Sequence, residues 1–217
     1  MNRISERLNR ILHPQSTFME IIGKVGDFLL IGILWLLCSL PVITVGAAST
    51  ALMSASMKRI NDEDNGCFRD FFQSFRENFL LSTLLWVAAM LLGAFFALDL
   101  YFYAMWSMAG ELIGTILFAL FAAATGLYLC VLMFLFPYVA KFQCTFRQAV
   151  KNAAYLSMRH FPYTVVMLIG DVLLLLLSLK TGFLFAALPG AVAFVNGWLV
   201  YRVFRKYLPK DTESEEE

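Results

Sequence analysis

Charge is scarce in this chain: only 15% of its 217 residues are Asp, Glu, Lys or Arg, against about 25% in soluble domains. With 60% of residues hydrophobic, a soluble fold is excluded. Histidine is scarcer still, at two. His13 and His160 stand apart from any Cys or carboxylate set at ligand spacing, so no metal centre and no cofactor is expected. The four cysteines, Cys38, Cys67, Cys130 and Cys144, show neither zinc-type pairing nor a disulfide framework and read as small space-fillers. Motifs for nucleophilic catalysis and phosphate binding are also missing, and an enzyme is not expected. A net charge of +1 carries little information by itself, and nucleic acid is not expected as a partner.

What is present is apolar length. A helix needs about 20 residues to cross about 30 Å of hydrocarbon, and four runs meet that need almost without charge: 79–98, 112–136, 161–179 and 182–201. The stretch 28–57 is harder to divide, because Pro41 interrupts it. Before Pro41 it reads FLLIGILWLLCSL, and after it the small, hydroxylated VITVGAASTALMSASM.

Charge placement resolves the division. Arg3, Arg7, Arg10 and Lys24 precede the first run, and Lys58, Arg59, Arg69 and Arg76 follow it. Lys141, Arg147, Lys151 and Arg159 form a third cluster, and Arg202, Arg205, Lys206 and Lys210 a fourth, so 16 of the 17 basic residues fall into four groups, Lys180 excepted. Basic residues gather in cytoplasmic loops. An even number of crossings between Lys24 and Lys58 is therefore predicted, with 28–40 and 42–57 forming a broken hairpin partly buried in the bundle. One long kinked helix would put five basic residues outside. Cleavage of a signal peptide after the small residues Gly46–Ala48 would reverse the topology of the remaining loops.

The predicted fold is thus all-α: a polytopic helix bundle of about six membrane segments in a bacterial cytoplasmic membrane, both termini cytoplasmic. It divides into an N-terminal segment 1–24, one membrane domain 25–206 and a disordered acidic tail 207–217. In the first inner loop Phe68, Phe71, Phe72, Phe75 and Phe79 recur at helical spacing, with Arg69, Asp70, Gln73, Ser74, Arg76 and Glu77 on the other face. That pattern predicts an amphipathic helix lying in the interface, as an elbow for the next crossing or a docking surface for another subunit. The second inner loop, 140–160, has four basic residues and no acidic one, with an apolar stripe of Phe146, Ala149, Val150 and Ala153. CFRDFF and TFRQAV faintly echo each other. An aromatic belt of Tyr101, Phe102, Tyr103 and Trp106 is expected in an outer turn after Leu98. Small residues four apart, such as Gly93/Ala97, Gly110/Gly114 and Ala193/Gly197, suit close helix packing.

Within the apolar segments Asp171 stands out, since an ionisable group at mid-depth costs at least about 2.5–3.5 kcal/mol and faces protein by default. Two roles suit it: a neutral hydrogen-bonding group paired with Asn196 or a hydroxyl of the short segment, such as Ser49, Thr50 or Ser54, or a member of a proton or cation path. An intramembrane aspartyl protease would need Gly-x-Gly-Asp, and Leu168-Ile169-Gly170-Asp171 lacks the first glycine.

The stretch WLLCSLPVITVGAASTALMSASMKRINDEDNGCFRDFFQSFRENF, residues 35–79, resembles the YesL family of small bacterial membrane proteins. The resemblance continues more weakly through TFRQAVKNAAYLSMRHFPYT, 145–164. It implies a non-enzymatic membrane protein found beside carbohydrate-degradation and sugar-importer components of the ABC type, whose permease subunits would be partners alongside the lipid bilayer. It carries over no catalytic residue. The alternative is a small ion- or proton-coupled transporter using Asp171.

Overall fold

An apolar chain in hydrocarbon must satisfy its backbone internally, and long runs of Leu, Phe, Ala and Met with few breakers do so as helix. The computed structural model describes residues 17–61, 63, 66–181 and 188–205, and no strand occurs among them. Its α-helices are α1 (Thr17–Cys38), α2 (Val45–Ile60), α3 (Cys67–Met108), α4 (Leu112–Lys141), α5 (Phe146–Arg159), α6 (Phe161–Thr181) and α7 (Leu188–Phe204). Three helices, α3, α4 and Phe161–Lys180 of α6, are long and apolar enough to cross a membrane. This is an all-α membrane protein.

The small-residue helix α2 is the hub. Gly46, Ala47, Ala48, Ala51 and Ala55 are all buried, because small side chains let α1, α3, α4 and α7 close around one short helix. A Cβ on Gly46 would strike the backbone carbonyl of Ser82 on α3. Pro41 separates α1 from α2 through a 3-10 turn at Val42–Thr44, in which the Thr44 hydroxyl donates to the Pro41 carbonyl at 2.7 Å. Trp86 of α3 donates its indole N–H to the Val42 carbonyl at 2.8 Å, so the hairpin tip stands level with Trp86. Lower down, Thr50 and Ser82 hydroxyls share a 2.8 Å hydrogen bond, and Lys58 meets Asp70 at 2.8 Å. The two helices run antiparallel in one register.

Here the sequence expectation needs correcting. The amphipathic segment 68–79 is not a helix of its own set off from the next crossing; it is the first third of α3, one 42-residue helix about 63 Å long at 1.5 Å per residue. No Gly or Pro interrupts Cys67 to Leu92, and the Asn78 amide donates back to the Ser74 carbonyl at 3.2 Å. Phe71 is fully buried with Ala51, Ala55 and Ile31. For the same reason Tyr101, Phe102, Tyr103 and Trp106 lie within α3 and not in a turn. The helix stops at Gly110, whose φ of 84° favours glycine. Two helices extend past the apolar runs, α1 over Thr17–Cys38 and α4 on to Lys141; α7 is described from Leu188, with 182–187 outside the described residues. Val150 is 39% exposed, which removes it from the buried stripe of α5; Leu156 takes its place beside Ala149 and Ala153. The acidic tail, the first 16 residues and most of the run 62–64 also lie outside the described residues.

Several glycines serve packing within the chain. A Cβ on Gly93 would stand 3.0 Å from the Tyr128 hydroxyl, and one on Gly114 3.0 Å from Trp106. Gly197 faces Ile60 and Ser56, whereas Gly126 has nothing within 4 Å.

Candidate functional site

At mid-length of α6, Asp171 faces α7, and the Asn196 amide nitrogen donates to both of its carboxyl oxygens at 3.0 Å. Asn196 is only 3% exposed. Its own carbonyl oxygen, Oδ1, is buried without a hydrogen-bond partner, and such an atom carries a desolvation cost of about 1–3 kcal/mol. Both residues line a cavity of about 250 Å³, shared with Trp35 of α1, Ser49 of α2 and Leu132, Met133, Phe136 and Pro137 of α4. Ser49 accepts the Trp35 indole N–H at 3.1 Å and reaches this cavity. Thr50 does not: its hydroxyl donates to the Gly46 carbonyl at 3.0 Å and meets Ser82. Ser54 lines a different cleft.

Two contributors escaped the sequence reading. Trp35 read only as one more apolar residue, and Pro137, one residue past the run 112–136, carried no reading. Inside α4, Pro137 has no N–H, so the Met133 carbonyl four residues earlier loses its helical donor. Met133 also lines the cavity. A proline at the edge of an apolar run was the available signal.

Asp171→Asn should leave stability close to that of the native protein, since Asn196 keeps an acceptor and the new amide supplies a donor for its idle Oδ1. Asp171→Leu strands the Asn196 amide, for a loss of about 0.6 kcal/mol and at most roughly 2 by measured interhelical bonds. Thermal unfolding in detergent checks the order: Asn at or above native, Leu below.

A second concavity, about 690 Å³ in volume, opens between α2 (Ser54, Lys58), α3 (Gln73, Glu77) and the loop after α4 (Gln143, Cys144). Lys58 holds Asp70 at its rim; Asp70 is 0% exposed. A second ion pair, Arg59 to Asp27 at 2.7 Å, ties α2 to α1. Burial pushes the Cys144 thiol above its ordinary range, which makes it a poor nucleophile. The segment read as a docking helix splits in two. Phe68, at 59% exposure, Arg69 and Arg76 face outward, Phe72 and Phe75 are half-buried, and Asp70 and Phe71 point into the core. The capping box of Thr145 and Gln148 starts α5, which fastens Ala149, Ala153 and Leu156 beneath α4 and leaves Arg147 and Lys151 exposed. Among the described residues, no three His, Cys, Asp or Glu side chains gather at metal-binding distance.

Residues 28–100 match the family model described as "Protein of unknown function, DUF624". The Bacillus subtilis (strain 168) protein described as "Uncharacterized protein YteU" is 30% identical over 184 residues, which cover 84% of this chain and 78% of the relative. The chain belongs to the DUF624 family. The DUF624 match spans the second half of α1, all of α2 and α3 through Leu100, so it takes in the Pro41 break, Ser49, Lys58 and Asp70. Asp171 and Asn196 lie beyond it. No solved structure matches the chain.

Proposed function

We propose that this DUF624 protein is a non-enzymatic multi-pass component of the bacterial cytoplasmic membrane, accessory to ABC-type carbohydrate uptake, with both termini cytoplasmic. The observation that carries the reading is the continuity of α3. By starting at Cys67, it extends as a rigid rod about 18 Å beyond the apolar run that begins at Phe79, and Phe68, Arg69 and Arg76 are spaced along that extension. An exposed aromatic on the same helix as two exposed arginines is the chemistry of a protein contact. The YesL-type resemblance supports the carbohydrate side, with a permease subunit as the partner. In this reading the hairpin α1/α2 enters and leaves on the cytoplasmic side. Its tip residues Leu37, Leu40, Val42 and Ile43 are 58–78% exposed and belong in hydrocarbon.

Isolation of the tagged chain in mild detergent should bring an ABC-type permease with it. The double variant Arg69→Glu, Arg76→Glu should reduce the recovered permease at least about tenfold, the ratio expected for losing two interface arginines. Unchanged recovery sinks the docking reading. The convergence of a broken hairpin, a proline-interrupted α4 and Asp171 on one cavity favours a second reading, a carrier in its own right. Substrate-dependent proton flux in liposomes containing this chain alone would select it.

A further inference from the structure

We propose that the Asp171–Asn196 cavity binds a small organic ammonium ion, an NH3+ group carried on a compact apolar body. The inference goes beyond both functional readings, because it requires neither docking nor transport. It starts from the atoms left over once the internal hydrogen bonds are assigned. Asn196 commits its amide nitrogen to Asp171, which leaves the carboxyl oxygens with unused lone pairs. Asn196 Oδ1 has no donor at all, in a residue 97% buried. Met133 presents a carbonyl whose helical donor Pro137 cannot supply. The spare donor is the Ser49 hydroxyl, whose oxygen already accepts from Trp35.

The cavity is therefore rich in acceptors and poor in donors, and among the described residues no Lys, Arg or His lines it. That balance rejects anions. A neutral alcohol offers a single proton, whereas an ammonium offers three donors, enough for the two carboxyl oxygens and Asn196 Oδ1. The remaining wall is hydrocarbon: Leu52, Leu132, Phe136 and Val192, with the Trp35 ring beside them. Small-molecule sites combine such apolar walls with a few convergent polar groups, and an indole is the best aromatic neighbour for a cation. A bare sodium ion would leave most of the 250 Å³ unfilled against apolar walls.

Thermal unfolding of the purified full chain in detergent tests this with benzylammonium chloride. Sodium chloride at equal ionic strength and benzyl alcohol, the same body without the charge, serve as controls. Benzylammonium should raise Tm by about 3 °C or more, saturably, as expected for a ligand well above its Kd; the controls should not. Asp171→Asn should abolish the rise. Should that variant fail to fold, Val192→Phe keeps the carboxyl but fills the cavity, and must abolish the rise as well. Four results overturn the proposal: no shift, an equal shift with benzyl alcohol, a shift with sodium alone, or a shift that survives either substitution.

Discussion

Gly190→Ala should nearly abolish accumulation of the protein in the membrane. A single Cβ at this buried position in α7 would strike the backbone carbonyl oxygen of Phe28 on α1, with the Phe28 carbonyl carbon 2.9 Å away. No rotamer change relieves a clash with main chain. The helices must part, and that opens the edge-to-face contact of Phe28 with Phe194, whose ring centroids are 4.9 Å apart. Overpacking usually costs about 1–3 kcal/mol; backbone against backbone places this one at or above about 3 kcal/mol, a large share of a typical total stability. The same substitution at Gly126, where nothing lies within 4 Å, should be neutral or stabilising, because alanine is the better helix former by roughly 0.5–1 kcal/mol. Membrane abundance and detergent unfolding should therefore move in opposite directions for two identical changes. Equal behaviour would disprove the close α1/α7 contact.

Lys58→Met should destabilise by about 3 kcal/mol. Asp70 is 0% exposed and its carboxylate sits 2.8 Å from the Lys58 ammonium. Removing one partner of such a pair typically costs 3–5 kcal/mol, because the other charge stays buried. The low end applies here, since the Lys58 side chain is 34% exposed and solvent already screens part of the attraction. The diagnostic experiment is the double variant. Lys58→Met with Asp70→Asn removes the charge along with its partner and should recover most of the loss, giving a coupling energy of the size that contacting residues show. If the double variant is as unstable as Lys58→Met alone, the damage comes from lost packing of the lysine stem, and the pair is not what joins α2 to α3.

What the sequence made legible follows from which forces are local. Apolar length marks the helices α3, α4 and α6 because hydrocarbon thickness is a constant of the surroundings. Pro41 marks the break between α1 and α2 because proline cannot donate. Periodicity states that Phe68, Phe71, Phe72 and Phe75 share a face. It cannot state whether that face lies on lipid or stands against α2, and the fully buried Phe71 shows the latter. Asp171 and Asn196 stood out by polarity alone. Ser49 was legible as a hydroxyl partner, but Trp35, Met133 and Pro137 were not, because they join it only through the packing of α1, α2 and α4. An unpaired amide oxygen is likewise invisible until every donor near it has been assigned.

The unequal reach of the helices has a mechanical consequence. From the level of Trp86, where the α1/α2 tip ends, α3 continues for 22 residues to Met108, about 33 Å at 1.5 Å per residue, with α4 beside it. Tyr103 packs on Phe121 there, their ring centroids 4.9 Å apart, so beyond the hairpin tip α3 and α4 form a paired lever, and a tilt of α3 at the level of Trp86 is carried along both helices to their turn at Gly110.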